Sequence, residues 1–272
     1  MTGTQPKTAL VTGASRGLGR GIAVALAGVG YQVVGVARDP APLAELRAEL
    51  GDGFTPVTAD AADPVAAGAL IDAYRPAVLV LNAGASPLPR PLHQHTWETF
   101  SRNWEVDVKQ AFHWTREALL APLEAGSTVI ALSSGAAVKG SPLSGGYAGA
   151  KATIRWLTSY AADESRRAEL GIRFVSLLPQ ITPETGLGAQ AVAAYAARYG
   201  ISVAEYRENL GQVLTPEHAG KAVTDLVAGT AGTAGTAGTA NTAGTANTAG
   251  TAGEAGSFLL TGAGLTPLPE PH

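Results

Sequence analysis

Cysteine is absent from the 272 residues of the chain, which excludes disulfides, thiolate metal sites and cysteine nucleophiles. A strong excess of positive or negative charge is absent too, since the 19 Lys and Arg and 22 Asp and Glu leave a net charge of −3. This near balance gives no electrostatic reason to expect nucleic acid or an anionic membrane as the main partner. The longest uncharged run, Gly21–Ala37, has 17 residues and is interrupted by glycines and Gln32, which is short for a membrane span. No secretory signal pattern is visible, so we expect a soluble, cytoplasmic protein.

The chain does contain short apolar runs that alternate regularly with helix-like segments. The runs are rich in Val, Ile and Leu without polar alternation, which is typical of parallel strands buried on both faces. Strands alternating with helices predict a doubly wound parallel α/β sheet, three layers deep, in a single domain over residues 1–272. The predicted strands are Thr8–Val11, Gln32–Ala37, Phe54–Thr58, Ala77–Leu81, Thr128–Leu132, Arg173–Leu178 and Phe258–Leu260. The predicted helices include Leu18–Val29, Leu43–Leu50, Val65–Tyr74, Trp97–Leu120 and Gly149–Glu169.

Two segments depart from this rhythm. Gly84–His95 contains three prolines, which predicts an extended loop after the fourth strand. Gly229–Gly256 is a Gly-Thr-Ala tract with a single charge, Glu254. Its frequent glycines disfavour a helix, and it has nothing bulky to bury. We expect a flexible insertion before the last strand, with a binding element as the alternative.

A glycine-rich turn joins the first strand to the first helix. It reads Thr12-Gly13-Ala14-Ser15-Arg16-Gly17-Leu18-Gly19, a T-G-x-x-x-G-x-G spacing that differs from the ordinary G-x-G-x-x-G fingerprint. Glycines allow a tight turn and a close approach of the backbone to a pyrophosphate, while the helix N-terminus offers free N–H groups. The turn therefore predicts a dinucleotide-binding loop.

Further motifs follow in order after the later strands. They are Asp60-Ala61 after the third, Asn82-Ala83-Gly84 after the fourth, Ser134 after the fifth, Tyr147-Ala-Gly-Ala-Lys151 thirteen residues beyond Ser134, and Pro179 after the sixth. With the glycine-rich turn, this series resembles the single-domain short-chain dehydrogenase/reductase family, which has a Rossmann fold. The resemblance covers nearly the whole chain apart from the Gly-Thr-Ala tract. It implies cofactor binding by Gly13, Ser15, Arg16, Gly17, Leu18, Gly19, Arg38, Asp60, Ala61, Asn82, Ala83, Gly84, Tyr147, Lys151, Pro179 and Thr182.

Ser134, Tyr147 and Lys151 are the candidate catalytic residues. Tyr147 and Lys151 are four apart, which places them on one face of a helix. Hydride transfer to a carbonyl leaves an alkoxide that needs a proton, so a general acid must lie within reach. A neighbouring ammonium stabilises phenolate and lowers the pKa of a phenol, which makes a tyrosine usable in both directions. Ser134 is expected to polarise the substrate oxygen, and the resemblance adds the nicotinamide ribose as a ligand of Lys151.

Two positions depart from the family pattern. Asp107 stands where the family often has a fourth catalytic residue, Asn, and Asp lacks the amide donor. The proton relay that ends at Lys151 is therefore altered; we keep Asp107 as a catalytic candidate, with a helix-kink hydrogen bond as the alternative. Gln180 stands where Gly usually follows Pro179. The resemblance implies nicotinamide contacts from Ile181, Thr182 and Thr185, just beyond this position.

The second strand indicates which nicotinamide cofactor is preferred. Family members that select NAD place an acid at the end of this strand, where it repels a 2′-phosphate. The position is occupied by Ala37, and Arg38 follows. Arg16 lies in the glycine-rich turn, and two guanidiniums can flank one phosphate. The sequence therefore predicts NADP(H) in preference to NAD(H).

Other candidates are weaker. Pro183–Gln212 is expected to form a mobile lid, whose tyrosines Tyr195, Tyr199 and Tyr206 either line a pocket or pack the lid. His93 and His95 have no companion carboxylate at ligand spacing, so no metal site is predicted. The three tryptophans of the helix Trp97–Leu120 indicate core or subunit-contact packing, and the resemblance implies a homodimer or homotetramer.

The sequence thus predicts an NADP-dependent oxidoreductase that transfers a hydride between the nicotinamide and a small carbonyl or alcohol substrate. Tyr147 is the expected general acid/base, with Ser134 and Lys151 in support. The alternative is a non-catalytic NADP-binding regulator or scaffold on the same fold. A dehydratase or an epimerase is less favoured, because the sequence offers no additional acid/base pair for such a reaction.

Overall fold

A single sheet organises the chain in the computed structural model, which describes residues 6–230 and 256–271. Within these residues eight strands lie in the order β3-β2-β1-β4-β5-β6-β7-β8. The strands are β1 Thr8–Thr12, β2 Gln32–Ala37, β3 Phe54–Thr58, β4 Val78–Leu81, β5 Thr128–Leu132, β6 Arg173–Pro179, β7 Ser257–Thr261 and β8 Gly264–Leu268. The helices are α1 Gly17–Gly28, α2 Pro40–Leu50, α3 Pro64–Tyr74, α4 Trp97–Asn103, α5 Lys109–Leu120, α6 Ala136–Lys139, α7 Tyr147–Arg167, α8 Gly186–Tyr199, α9 Val203–Asn209 and α10 Pro216–Ala228.

Strands β1 to β7 are parallel, and the seven predicted strands are confirmed. β1 pairs with β2 on one side and β4 on the other, so the chain changes direction across the sheet between these two neighbours. At such a switch point the loops leave the carboxyl ends of adjacent strands in opposite directions and open a crevice. The predicted ligand-binding loops all lie at this edge of the sheet.

Helices cover both faces of the sheet, which gives the predicted three layers. On one face, Ile22 of α1 and Val223 of α10 pack against Val11 in one buried cluster. On the other face, Ile71, Trp114 and Ile154 come from α3, α5 and α7. Because both faces are covered, the central strands need apolar side chains in both directions, which explains their unbroken Val, Ile and Leu runs.

The structure differs from the predicted sheet at one edge. β8 was not predicted; it pairs with β7 in the antiparallel direction. Pro267 lies within it, and proline is tolerated in an edge strand because its missing N–H faces away from the ladder. Pro56 has the same place at the opposite edge, in β3. Both ends of the sheet are therefore poor templates for a further strand.

The predicted helix Trp97–Leu120 is helical throughout, with one feature that was not predicted. A π-helical turn, Trp104–Val108, lies between α4 and α5. A π turn adds one residue to the helical repeat and rotates the side chains that follow it. One residue of this turn, Asp107, is buried, and its side chain lies near the carboxyl end of β5, beside Lys151.

Most of the predicted insertion, 229–256, lies outside the described residues. Its first residue, Gly229, caps α10 with a left-handed backbone. Among the helices of the described residues, none is long and apolar enough to cross a membrane.

We predict that replacing Gly21 of α1 by alanine destabilises the protein. A Cβ at Gly21 would lie 2.4 Å from the carbonyl oxygen of Pro216, because α1 and α10 approach with their backbones nearly touching. The helices must separate, so we expect a loss of about 1–3 kcal/mol, measured by urea denaturation.

Gly28→Ala is the matched control, since this residue ends the same helix and a Cβ there meets nothing within 4 Å. Alanine has the higher helix propensity, so this variant should be unchanged or slightly more stable. Equal stability of the two variants would contradict the close packing of α1 on α10.

Candidate active site

The glycine-rich turn between β1 and α1 is shaped by close backbone contacts. Gly13 has a left-handed φ of 67°, and a Cβ there would lie 2.8 Å from the Cα of Ala83. A Cβ on Gly19 would lie 2.2 Å from the carbonyl oxygen of Gly13. Arg16 occupies the N-cap of α1 without a side-chain capping bond, so the first N–H groups of the helix are free of side-chain acceptors. An uncapped helix start beside a glycine cradle fits a phosphate group.

The Thr12 hydroxyl joins this turn to the end of β4. Thr12 Oγ1 accepts hydrogen bonds from the backbone N–H groups of Asn82 at 2.9 Å and Ala83 at 3.1 Å. It also donates to the side-chain oxygen of Gln110, whose amide nitrogen donates to Ala83 O at 2.6 Å. Asn82 Nδ2 donates in turn to the carbonyl oxygens of Thr12 and Gly13. The Asn82-Ala83-Gly84 motif therefore supports the cradle directly.

Asp107 is 1% exposed and its carboxylate is surrounded by hydrogen-bond donors. Oδ1 accepts from the backbone N–H of Ala85 at 2.8 Å and from Nδ2 of Asn103 at 3.4 Å. Oδ2 lies 3.1 Å from Nζ of Lys151. Asp107 therefore contacts the candidate catalytic lysine, while the helix-kink hydrogen bond, the alternative role, stays a prediction.

Lys151 lies one turn after Tyr147 on α7 and is 5% exposed. Its Nζ donates to the carbonyl oxygen of Leu132 at 2.9 Å, pairs with Asp107, and lies 5.6 Å from the ring centroid of Tyr147. Burial works against the ammonium, but the Asp107 carboxylate, helped by Tyr147, outweighs it and raises the pKa of Lys151 above its usual value. Lys151 is therefore a permanent cation across the neutral range.

Ser134 and Ser133 have separate tasks at the end of β5. Ser133 is buried, and its Oγ donates to the backbone oxygen of Lys151 at 2.7 Å, which ties α7 to the strand. Ser134 is partly exposed, and its Oγ accepts from the N–H of Ala136 at 3.2 Å. A hydroxyl that has accepted one bond still has its proton to donate, so Ser134 can donate to a substrate oxygen.

The remaining predicted cofactor residues lie along the same edge. Asp60 Oδ1 accepts from Ala62 N, and the carbonyl oxygen of buried Ala61 accepts from Trp114 Nε1. The carbonyl oxygen of Pro179 accepts from Gly135 N, and Thr182 Oγ1 donates to Gln180 O at 3.2 Å. Gln180 is exposed, and its Cγ would lie 3.8 Å from a Cβ on Gly135. The roles assigned to these residues remain predictions.

Tyr195, Tyr199 and Tyr206 stack on one another, with ring centroids 6.0–6.2 Å apart. The Tyr195 hydroxyl also bonds Ser141, in the segment between Ser134 and Tyr147. Burial, followed by the two neighbouring phenols, raises the pKa of Tyr206. The three rings pack α8 and α9 together, which favours the packing alternative for this segment.

The two histidines of the proline-rich segment, His93 and His95, differ in their exposure and contacts. His93 is exposed, and the ring nitrogens of His95 lie 3.2 Å from Thr99 Oγ1 and from Arg90 O. Across residues 6–230 and 256–271, no group of three metal-ligating side chains of the His, Asp and Glu types occurs.

Sequence reasoning missed Asn103, Gln110 and Ser133. Each acts through bonds to the backbone of a distant element, as when Asn103 Nδ2 donates to Ala85 O at 2.6 Å. No local pattern marks such contacts. The π turn that aims Asp107 was also missed, because hydrophobic spacing does not distinguish a single wide turn from a regular helix.

We predict that Thr12→Val destabilises the fold more than Thr12→Ser. Valine leaves the N–H groups of Asn82 and Ala83 without the acceptor that they share, and Thr12 is fully buried. Unpaired buried donors cost about 1–3 kcal/mol each, so we expect a total loss of roughly 2–6 kcal/mol.

Thr12→Ser retains the hydroxyl and loses one methyl group, at about 1 kcal/mol. Chemical denaturation of both variants makes the comparison. If the Thr12→Val variant is as stable as the Thr12→Ser variant, the Thr12 hydroxyl does not hold the glycine-rich turn to the loop after β4.

Comparison of the sequence with known proteins identifies similar proteins and a matching family model. A family model described as short chain dehydrogenase matches residues 7–201. A short-chain type dehydrogenase/reductase of Picea abies is 32% identical over 193 residues, 65% of this chain and 71% of that protein. D-erythrulose reductase of Gallus gallus is 36% identical over 107 residues, 39% of this chain and 43% of that protein. The match therefore spans less than half of the erythrulose reductase.

A solved structure has the same fold. The 3-ketoacyl-(acyl-carrier-protein) reductase of Brucella melitensis, complexed with NADH, is 27% identical with a TM-score of 0.68. The superposition covers 81% of this chain and 90% of that one. The segment matched by the family model includes the glycine cradle, Ser134, Tyr147 and Lys151. The protein belongs to the short-chain dehydrogenase/reductase family.

Proposed function

We propose that this protein is an NADP(H)-dependent oxidoreductase that interconverts a small carbonyl compound and its alcohol. The observation that carries the proposal is the arrangement around Lys151, whose ion-paired ammonium lies 5.6 Å from the Tyr147 ring at the carboxyl end of β5. A binding protein has no need of a buried cation beside a partly exposed phenol. The names of the relatives, a dehydrogenase/reductase and a reductase, agree with this chemistry.

The cofactor fits the carboxyl edge of the sheet. The Gly13–Gly19 cradle and the uncapped start of α1 would hold its phosphates, and Asn82 and Ala83 border the same turn. NADP(H), when bound, supplies or accepts the hydride. The side chains of the protein bind the cofactor, orient the substrate and transfer the proton.

Tyr147 is the proposed proton donor in reduction and acceptor in oxidation. Its side chain is partly exposed at the start of α7, and within the described residues its hydroxyl has no hydrogen-bond partner. Ser134, with its proton free, would hold the substrate oxygen beside the phenol. Proton transfer then follows the developing charge on that oxygen.

Lys151 has one donor left for the cofactor. An ammonium has three N–H groups, and two point at Leu132 O and Asp107 Oδ2. The third is free to bind a ribose hydroxyl, the role implied by the family resemblance. The same cation stays close enough to the phenol to act on it electrostatically.

The preference for NADP(H) rests on two unpaired guanidiniums. Arg16 and Arg38 are exposed, and among the described residues neither has a carboxylate within ion-pair distance. Asp39, the obvious partner for Arg38, instead caps α2 by accepting from Ala41 N at 3.1 Å. Gly13 N donates to Val36 O, so the cradle lies against the end of β2 that leads to Arg38.

We also propose that the chain associates with a second copy. Helices α4, α5 and α7 and the π turn expose large aromatic side chains, namely Trp97, Trp104, Phe112 and Tyr160. Exposed aromatics on adjoining helices favour a buried contact between subunits.

We predict that Tyr147→Phe abolishes turnover and leaves NADPH affinity nearly unchanged, because it removes only the proton donor. The assay follows NADPH absorbance with a panel of ketoses, including erythrulose, and other small carbonyls. NADPH binding is measured separately by calorimetry.

A Tyr147→Phe variant with wild-type kcat on any accepted substrate would overturn the assignment. Wild-type protein that binds NADPH tightly and reduces no member of a broad panel would support the regulator or scaffold alternative instead. Tyr160→Phe is the control, since this exposed tyrosine lies on the same helix beyond the site.

We predict that Arg38→Ala weakens NADP(H) binding about tenfold or more and barely changes NAD(H) binding. A charge-assisted hydrogen bond contributes roughly 1.5–3 kcal/mol, and only NADP(H) has the 2′-phosphate. Titration of both cofactors against both proteins measures the difference. Equal losses for the two cofactors, or equal wild-type affinities, contradict the proposed preference.

A further inference from the structure

We propose that Gly135 and Gln180 form a subsite beside Ser134 that accepts a hydroxymethyl group, so that the preferred substrates are α-hydroxy carbonyl compounds. The inference rests on the proposed function, in which Ser134 holds the substrate oxygen. It assigns the choice of one substituent on the carbonyl carbon to residues outside the candidate catalytic set.

The backbone of Gln180 is fixed from both sides. Its N–H donates to the carbonyl oxygen of Leu260 in β7 at 2.9 Å. The carbonyl oxygen of the preceding residue, Pro179, accepts from Gly135 N at 2.9 Å. Gln180 is therefore held beside Gly135, the residue that follows Ser134, at the carboxyl edge of the sheet.

The side-chain amide of Gln180 is available to a ligand. Gln180 is exposed, and within residues 6–230 and 256–271 its amide has no hydrogen-bond partner. An amide offers two N–H donors and one acceptor oxygen. The glycine that usually follows this proline in the family would offer no side chain at all, so the amide is a feature of this chain.

An open notch lies over Gly135. A Cβ on this residue would meet nothing closer than 3.7 Å, and its three nearest atoms would be Leu259 Cδ1, Pro179 O and Gln180 Cγ. Gly135 has a φ of −55°, which other residues adopt freely, so the backbone conformation does not require a glycine. The missing side chain instead leaves space for a carbon atom beside Ser134, next to the stem of Gln180.

The lining of the notch matches a hydroxymethyl group. Leu259 Cδ1 offers an apolar contact to the methylene carbon, and the Gln180 amide can both donate to the hydroxyl and accept from it. An ethyl group would fill the same space but would displace water from the amide without replacing its hydrogen bonds. A carboxylate is less well matched, because a neutral amide brings no charge to offset the desolvation of an anion.

The test compares hydroxyacetone with butan-2-one, two ketones that differ only in a hydroxyl in place of a methyl group. We expect Gln180→Leu to lower the ratio of their kcat/KM values, hydroxyacetone over butan-2-one, about tenfold. That change corresponds to about 1.4 kcal/mol, which is the size of one hydrogen bond between neutral groups. The intrinsic reactivity of each ketone is the same with every variant, so it cancels when the ratios are compared.

Gln32→Leu is the matched control, since it makes the same substitution at the start of β2, on the amino edge of the sheet. Its ratio should equal that of the wild type. An unchanged ratio in Gln180→Leu overturns the proposal, even where both rates fall, because the amide then acts on the fold or the cofactor and not on the hydroxyl.

Gly135→Ala tests the notch itself. The added methyl group makes only ordinary contacts with the protein, so the variant should fold, but it occupies the subsite. We expect kcat/KM for both ketones to fall about tenfold or more relative to acetaldehyde, which has a hydrogen atom in place of the substituent. Equal effects on the ketones and on acetaldehyde would show that the substituent lies elsewhere, which also overturns the proposal.

Binding of the product alcohols separates this proposal from the proposed function. Propane-1,2-diol and butan-2-ol are the reduction products of the two ketones, and an NMR titration of the protein with NADP⁺ measures their affinities without turnover. The wild type should prefer the diol, and Gln180→Leu should lose that preference; a preference that is absent or unchanged defeats the subsite. A protein that reduces no carbonyl of a broad panel counts against the proposed function, and its diol preference is still measured. An active enzyme without the preference defeats only the subsite.

Discussion

The buried ion pair between Lys151 and Asp107 is the constraint on which the site depends. Removing two charges from water is costly unless both are paired and their remaining valences are satisfied. The lysine is satisfied by Asp107 and Leu132 O, and the aspartate by Asn103, Ala85 N and Lys151. These partners come from five places in the fold, at the ends of β4 and β5, on α4 and α7, and in the π turn. The pair is stable only when all five are assembled, so the assembled fold and the charged site form together.

The fold was predictable where its causes are local. Runs such as Gln32–Ala37 and Thr128–Leu132 are apolar on both sides because helices cover both faces, and the structure has these strands with the predicted bounds. β8 has no such signal, since Pro267 and its neighbours resemble a loop in sequence. It becomes a strand because β7 offers an unpaired edge. The π turn within Trp97–Leu120 escaped prediction for a similar reason, because Ala85 and Lys151, which bind Asp107, belong to other elements.

The site divides in the same way. The glycine cradle and the Tyr147–Lys151 pair each consist of residues close together in sequence. A single turn or helix is therefore enough to bring the members of each motif together. The side chains that support them, Thr12, Gln110 and Asn103, bond backbone groups 18 to 71 residues away. A single sequence contains no local mark of such distant contacts. The candidate residues could therefore be named from the sequence, while the charge balance around Lys151 could not.

The polar groups of the described site fall into two sets, those bonded within the chain and those without a partner among the described residues. Thr12, Asn82, Ser133 and Asp107 use their bonding capacity within the chain, which fixes their positions. The Tyr147 hydroxyl, the Ser134 proton, the start of α1 and the third donor of Lys151 have no partner among the described residues. All of them lie at the carboxyl edge of the sheet. Under the proposed function these free groups would meet a ligand without rearrangement, because the bonded groups around them are already fixed, and such preorganisation lowers a reaction barrier.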